Sequence, residues 1–123
     1  MSDIPTITSS EFDLTFASRW LDGDADALRE HVERFLVATE ARLAVLQDAL
    51  NQKDCKRATD AAHKLRGGFV NVGALHQVAL AGEIEAAARN GVTHPLDNVV
   101  LATGDLVVAL NGWIETGNVE ATT

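Results

Sequence analysis

The sequence of 123 residues has few of the residues that mark several common classes of protein. Cys55 is its only cysteine, so no intramolecular disulfide can form and nothing indicates an oxidising compartment. There are two prolines and no tyrosine, and aromatic residues make up 5% of the chain. With so few helix breakers and bulky rings, the composition favours helices packed through small and branched aliphatic side chains.

Long apolar runs are also missing. No segment approaches about 20 consecutive apolar residues, so we expect no membrane span. Residues 1–5 lack the basic start and the apolar run of a signal peptide. These two observations lead us to expect a cytoplasmic protein.

Basic residues are outnumbered by acidic ones, 10 to 18, which gives a formal net charge of −8. This balance argues against a protein that binds nucleic acid. The basic residues are unevenly placed, because half of them fall within residues 53–66 and none follows Arg89. An acidic chain therefore carries one basic patch around His63. The patch consists of Lys53, Lys56, Arg57, Lys64 and Arg66.

Hydrophobic periodicity predicts one domain over residues 1–123, with loose tails at 1–7 and 117–123. The predicted helices cover about residues 9–21, 25–51, 54–72, 74–90 and 93–116. No run of residues alternates well enough to predict a sheet. Because the four long helices are joined by short connections, we expect an all-α fold: an antiparallel up-and-down four-helix bundle with a short additional N-terminal helix.

Local signals set the ends of these helices. Thr8-Ser9-Ser10-Glu11 fits a capping box, which predicts that the first helix begins there. Asn71-Val72-Gly73 ends the third helix, with Gly73 able to take the left-handed conformation. Pro95 fits the first turn of the fifth helix, where its missing amide does no harm.

Apolar stripes predict which helix faces are buried. The first helix is expected to bury Phe12, Phe16, Ala17 and Trp20. In the third helix the predicted apolar stripe is Cys55, Ala58, Ala62, Leu65, Phe69 and Val72. His63 lies on the opposite, polar face of that helix, so we expect its side chain to point away from the core.

His63 is the most promising candidate for chemistry. Lys64 and Arg66 bring positive charge beside it, which suits an anion such as phosphate. Gly67, one turn further on, leaves the imidazole uncovered. Glycine inside a helix costs about 0.8–1 kcal/mol relative to alanine, so Gly67 and Gly68 suggest a gain in access or close packing. Two other interpretations stay open: a surface histidine without a role, and a helix end at residues 66–68.

Metal and nucleotide sites are not expected. The acidic segment at residues 22–26 imitates a calcium loop, but Ala27 stands where the sharp turn needs glycine. His31, His76 and His94 form no pair four residues apart, and Cys55 has no companion, so we expect no zinc site. The chain has no glycine-rich phosphate loop after a strand, and we therefore expect no kinase activity of its own.

The pattern His63-x-Leu65-Arg66-Gly67-x-x-x-Asn71-Val72-Gly73-Ala74 resembles the signature of histidine-containing phosphotransfer (HPt) domains. These are helical bundles that relay phosphoryl groups in multistep two-component signalling. Ile84-Glu85 is similar to a Leu-Glu pair common in that family. The resemblance extends over most of the chain in the order of the helices.

The resemblance implies a free-standing phosphorelay protein. His63 would accept a phosphoryl group from a receiver-domain aspartate, or from a hybrid sensor kinase, and pass it to a response regulator. Arg66 stands where the family usually has lysine, and would steer or neutralise the phosphoryl group. Gly67 matches the small position at which the receiver approaches. Gly68 replaces a more usual Ser or Ala.

The resemblance also implies that magnesium is held by the receiver partner, with no cofactor in this chain, and it favours a monomer. Two alternatives remain. A bundle of the same shape could dock and sequester a receiver domain without catalysis, or a purely structural bundle could dimerise through its long helix and cover His63.

Overall fold

Five α-helices form the secondary structure of residues 7–116, the part of the chain that this computed structural model describes. They are α1 (Thr15–Trp20), α2 (Ala25–Asn51), α3 (Cys55–Asn71), α4 (Leu75–Arg89) and α5 (Asp97–Thr116). Within this range the only pairing of extended backbone is an isolated bridge between Thr8 and Asp13. The expectation of an all-helical fold is confirmed.

An aspartate caps the N-terminus of α2 and another caps the N-terminus of α3. The Asp24 carboxylate accepts a hydrogen bond from the Ala27 amide at 3.0 Å at the start of α2. The Asp54 carboxylate accepts one from the Arg57 amide at 3.1 Å at the start of α3. Both satisfy amide groups that have no partner inside the helix. The acidic segment that imitates a calcium loop is therefore a helix start.

The predicted start of the first helix is wrong, because α1 begins at Thr15. The Ser9 hydroxyl does accept hydrogen bonds from the amides of Glu11 and Phe12, at 3.0 and 3.2 Å, but it caps a turn. The chain reverses there, and the Leu14 amide donates to the Ile7 carbonyl at 2.8 Å. The capping box predicted at Thr8-Ser9-Ser10-Glu11 is therefore wrong as a helix start: the hydroxyl of Ser9 binds the amides of a turn.

Asp13 is the residue that leads into α1. Its carboxylate accepts a hydrogen bond from the Thr15 amide at 2.9 Å. Hydrogen bonds from the side chain and the backbone of Thr15 hold the pKa of Asp13 below its ordinary value, because they stabilise the ionised form.

Three predicted core residues are exposed. Phe16 and Trp20 keep 61% and 77% of their surface accessible, so Ala17 alone is buried within α1. A helix of six residues presents too few turns for a full apolar face. Cys55, the first residue of α3, is exposed as well.

The predicted tails lie almost wholly outside the described residues, which begin at Ile7 and end at Thr116. Ile7 itself is partly buried against the core. At the other end of the bundle α5 begins at Asp97, four residues after the predicted start. Pro95 disfavours helical backbone at His94 before it, so the helix cannot extend back to Thr93.

The helices pack in a ring. Helix α3 lies between α2 and α4, and α5 also contacts α2 and α4, so that α3 and α5 are diagonally opposed. Each helix gives its apolar side chains to one shared core. Phe35 of α2 and Phe69 of α3 meet edge to face, with ring centroids 6.1 Å apart and an interplanar angle of 62°.

Gly73 connects α3 to α4 in the left-handed conformation, with φ of 63°, as predicted. The Asp13 amide donates to the Val72 carbonyl at 3.0 Å, which ties the N-terminal segment to this connection. A Cβ atom on Gly73 would collide with the Asp13 backbone. Gly73 therefore meets two demands, a positive φ and a close backbone approach.

Helix α5 is the one helix of the described residues that is long and apolar enough to span a membrane. Its inner face packs in the bundle, where Val99, Leu106, Leu110 and Trp113 are buried. A packed core helix passes the same length and composition test, so the finding is weak evidence for a span.

Candidate functional site

His63 lies near the middle of α3, with 64% of its side chain exposed. The helix continues through Gly67 and Gly68 to Asn71, so the alternative of a helix end at residues 66–68 is wrong. Leu65 and Phe69 are buried on the opposite face. As the polar-face pattern predicted, the imidazole points out of the core.

A buried carboxylate from the neighbouring helix contacts this exposed imidazole. Glu85 of α4 has only 6% of its side chain exposed, and its Oε2 lies 3.1 Å from Nδ1 of His63. Arg89, one turn along α4, donates from Nη2 to the same oxygen at 2.8 Å. On the other oxygen, Arg66 Nε lies 3.3 Å from Oε1 as a charge contact that lacks hydrogen-bond alignment.

Two contacts compete for Nδ1 of His63. If Nδ1 carries a proton, it donates to Glu85 Oε2 at 3.1 Å; if not, it accepts from Arg66 Nη2 at 3.4 Å. An unprotonated Nδ1 would direct its lone pair at a carboxylate oxygen, which is repulsive. The shorter distance and the charge of Glu85 both favour the proton on Nδ1. Nε2 is then the ring nitrogen with a free lone pair.

Arginines on both sides balance the charge of Glu85. Burying a carboxylate is unfavourable unless it is paired, and Arg66 and Arg89 supply two guanidinium groups. Both arginine side chains remain exposed in part, at 41% and 64%. The cluster therefore has an anchored carboxylate inside and cationic groups at the surface, where an anion can reach them.

These residues line an open groove of about 550 Å³ between α3 and α4. Thr59 and Asp60 from α3 and Gly82 and Ala86 from α4 complete its walls. Among residues 7–116 there is no group of three or more His, Cys, Asp or Glu side chains placed to hold a metal ion. The groove offers an imidazole and guanidinium groups, a set suited to an oxyanion such as a phosphoryl group.

The structure separates Lys64 from the His63 groove. Lys64 lines a second groove, of about 640 Å³ between α2 and α3, together with Arg42, Lys56 and Arg57. Successive helical residues point about 100° apart, which is why two neighbours in sequence face different grooves. The basic patch thus extends over two sides of α3.

The two glycines that follow Arg66 have different surroundings. Gly67 is exposed, and a Cβ atom there would meet no atom within 4 Å. Gly68 is buried, and a Cβ atom there would lie 3.0 Å from Arg42 Nη1 and 3.5 Å from the Phe35 ring. Gly67 leaves the surface beside His63 open, whereas Gly68 belongs to the packing of α3 on α2.

From the sequence, Glu85 was identified only as part of the Ile84-Glu85 pair, and no role was predicted for it. Arg89 was not identified. Two signals were available. Glu85 falls in phase with the buried residues Ala81 and Ala88 of α4, so an acid sits on an apolar stripe. Arg89 follows it at the i,i+4 spacing at which opposite charges pair on a helix. The contact between Glu85 and His63 could not be predicted from these signals, because it depends on how α4 packs against α3.

Comparison with protein families supports the same conclusion. A family model described as the Hpt domain matches residues 30–115, which is well over half of the chain. No curated protein and no solved structure shows significant similarity to the chain. The matched range includes His63, Arg66, Glu85 and Arg89, and it spans most of the helical bundle. The chain therefore belongs to the Hpt domain family, and this membership implies histidine phosphotransfer in two-component signalling.

Proposed function

We propose that this protein is a phosphorelay intermediate in which His63 accepts a phosphoryl group from a receiver-domain aspartate and passes it to a response regulator. A hybrid sensor kinase would be the source of the group. The observation that carries the proposal is the contact between the exposed imidazole and the buried Glu85 carboxylate, 3.1 Å apart. This contact orients the ring without covering its outer edge.

Nε2 of His63 is the nitrogen that accepts the group in this proposal. With Nδ1–H donating to Glu85, the Nε2 lone pair attacks phosphorus of the aspartyl phosphate. An N–P bond forms while the bond between phosphorus and the aspartate oxygen breaks, and that electron pair returns to the aspartate carboxylate. The product ring is a cation with its Nδ1 proton retained, and Glu85 stabilises it. Transfer to the next receiver reverses these steps.

Arg66 and Gly67 assist from the same helix. In-line phosphoryl transfer depends mainly on positioning and on neutralising charge, and Arg66 lies 3.4 Å from the His63 ring. Gly67 leaves room for the receiver backbone. The Lys64 groove would face acidic residues of the receiver and guide its approach. Magnesium would be held by the receiver, as its acidic pocket requires.

The finer description of the fold is part of this proposal. The ring of contacts among α2, α3, α4 and α5, joined in sequence by short connections, supports an antiparallel four-helix bundle with α1 packed on α2. A cytoplasmic location fits a partner class of receiver domains and sensor kinases.

Phosphoryl transfer from a radiolabelled receiver domain tests the function. We expect label on this protein that is acid-labile and alkali-stable, as for a phosphoramidate. The His63→Gln variant should take up none, while His76→Gln, at another exposed histidine, should be labelled like the unmodified protein. Binding without label in the unmodified protein, using every receiver of the same cell, would favour a module that sequesters its partner.

A further inference from the structure

The outer surface of α5 carries exposed aliphatic side chains. Leu101, Val108 and Val100 keep 70%, 69% and 50% of their surface accessible. The half-buried Val107 adjoins them. None of these four side chains is charged, but the exposed Asp105, one turn from Leu101 and from Val108, borders them. An exposed cluster of aliphatic side chains of this kind is typical of a contact with another molecule.

This surface is symmetric about Gly104. Steps of three, four or seven residues return to nearly the same side of a helix, because each residue turns about 100°. Leu101 and Val100 precede Gly104 by three and four residues, and Val107 and Val108 follow it by three and four. We call these five residues the α5 face.

The symmetry continues one step further, to positions seven residues from Gly104. Asp97 precedes it and Asn111 follows it at that spacing, and both are exposed. If a second copy of the helix crossed antiparallel at Gly104, Val100 and Leu101 would meet the partner's Val108 and Val107. Asp97 would then lie near the partner's Asn111, whose amide can donate to a carboxylate. The face is thus complementary to itself.

Gly104 has no function that the single chain explains. Its backbone is helical, without positive φ, and a Cβ atom there would meet nothing within 4 Å. Alanine would stabilise the helix, because glycine is the poorer helix former. A missing side chain at the centre of an apolar face permits two helix backbones to approach closely, as small residues do where helices cross.

The α5 face is separate from the phosphotransfer groove. Helices α3 and α5 lie diagonally across the bundle, each contacting α2 and α4. On its α2 side the face continues into a groove of about 470 Å³. Val37 of α2, with 72% of its surface accessible, extends the apolar area there. A molecule bound on this side leaves His63 free.

We propose that, in place of the monomer that the family resemblance favours, the α5 face binds the same face of a second copy of this chain, in an antiparallel arrangement with a two-fold axis at Gly104. A two-fold dimer requires one surface that is complementary to itself, and the α5 face meets that requirement. Antiparallel α5 helices also oppose their helix dipoles favourably.

Sedimentation velocity of the full chain over about 10 μM to 1 mM tests association. We expect the unmodified protein to dimerise with increasing concentration. Leu101→Lys should raise the dissociation constant about tenfold or more, and Gly104→Leu should do the same by blocking close approach. Val92→Lys, at a residue 58% exposed outside the face, is the matched control and should leave it unchanged.

Thermal unfolding separates loss of the dimer from loss of the fold. Since a side chain at Gly104 has open space, Gly104→Leu should unfold at the same or a higher temperature while remaining monomeric. A monomer at every concentration for the unmodified protein would overturn the proposal, and binding of the chain to phosphatidylcholine vesicles would then assign the face to lipid.

Cross-linking tests the two-fold arrangement itself. In a Cys55→Ser background, Gly104→Cys should form an intermolecular disulfide on mild oxidation, because the two copies of residue 104 face each other. Leu101→Cys should not, since in an antiparallel pair its two copies lie about 9 Å apart along the helix axis. A disulfide at Leu101→Cys as well as at Gly104→Cys would indicate a parallel pair and overturn the proposed axis.

Discussion

At the scale of single residues, Glu85 accounts for the orientation of a side chain that is mostly in solvent. An exposed imidazole would ordinarily sample several rotamers, but this one has a hydrogen-bond partner that is itself fixed by burial and by two arginines. The position of His63 on a polar helix face followed from periodicity. The role of Glu85 did not, because its burial depends on how closely α4 packs on α3.

We expect two substitutions of similar size at Glu85 to have different effects on the rate of phosphoryl transfer. Glu85→Leu removes the acceptor for Nδ1–H and leaves Arg66 and Arg89 without their shared partner, so phosphoryl transfer should slow by about tenfold to a hundredfold. Glu85→Gln keeps an acceptor oxygen and should lose less than about tenfold. Rapid-quench transfer from a phosphorylated receiver measures both rates. Equal rates for Glu85→Leu and the unmodified protein would remove Glu85 from the mechanism.

Gly73 supports a second prediction for a single residue. Gly73→Ala combines a left-handed backbone with a collision against Asp13, and should lower the free energy of unfolding by roughly 2 kcal/mol or more. Gly91→Ala is the matched control, because Gly91 also has positive φ but its Cβ would have only Cys55 Sγ nearby, at 3.9 Å. Denaturant unfolding should show a clearly smaller loss for Gly91→Ala. Equal losses would mean that the contact with Asp13 contributes nothing.

At the scale of elements, α3 combines a structural face and a functional face in 17 residues. Its apolar period was readable from the sequence, as were its start near residue 54 and its terminal glycine. The sequence also predicted that Gly67 leaves the imidazole of His63 uncovered. The packing of Gly68 on α2 could not be predicted, because it depends on the positions of Phe35 and Arg42.

Substitutions at these two glycines should separate stability from transfer. Gly67→Ala should raise the free energy of unfolding by about 0.5–1 kcal/mol, because the added methyl group improves helix propensity and meets no atom. Gly67→Leu should also fold, yet should slow phosphoryl transfer by about tenfold or more by obstructing the receiver. Gly68→Ala points at α2 and should leave the transfer rate unchanged. Fast transfer by Gly67→Leu would contradict the role given to Gly67.

The first helix shows where local signals fail. Its capping hydroxyl and its aromatic residues were present in the sequence, but the chain needed a reversal to place Phe12 and Leu14 in the core, at 1% and 0% exposure. A hydrogen bond from the Asp13 amide to the Val72 carbonyl ties that reversal to a distant part of the chain. Periodicity within a short window carries no information about such a contact.

At the scale of the whole molecule, an acidic chain concentrates its positive charge on both sides of one helix. Lys64 lines the groove toward α2, and Arg66 and Arg89 line the groove toward α4. Composition and spacing predicted the patch, but its division between two grooves required the packed bundle. A partner with an acidic surface would meet cations on either side of His63.

This arrangement predicts a strong effect of salt on the association with a receiver domain. Raising ionic strength from about 0.01 to 0.15 M should lower the association rate constant about tenfold, because the Debye length falls from about 30 to 8 Å. Lys64→Gln should reduce this salt dependence, whereas Arg29→Gln, an exposed residue of α2 outside both grooves, should not. Stopped-flow mixing measures the rates. A rate constant independent of salt would rule out electrostatic guidance.

The hydrogen bond from the Asp13 amide to the Val72 carbonyl bears on the order in which the molecule folds. It joins positions that are 59 residues apart (72 minus 13), whereas α2, α3 and α4 meet their neighbours through short connections. Closing such a long loop is entropically unfavourable until both ends are presented on formed structure. The helices that build the His63 groove can therefore assemble first, with the N-terminal segment closing onto them last and opening first in hydrogen exchange.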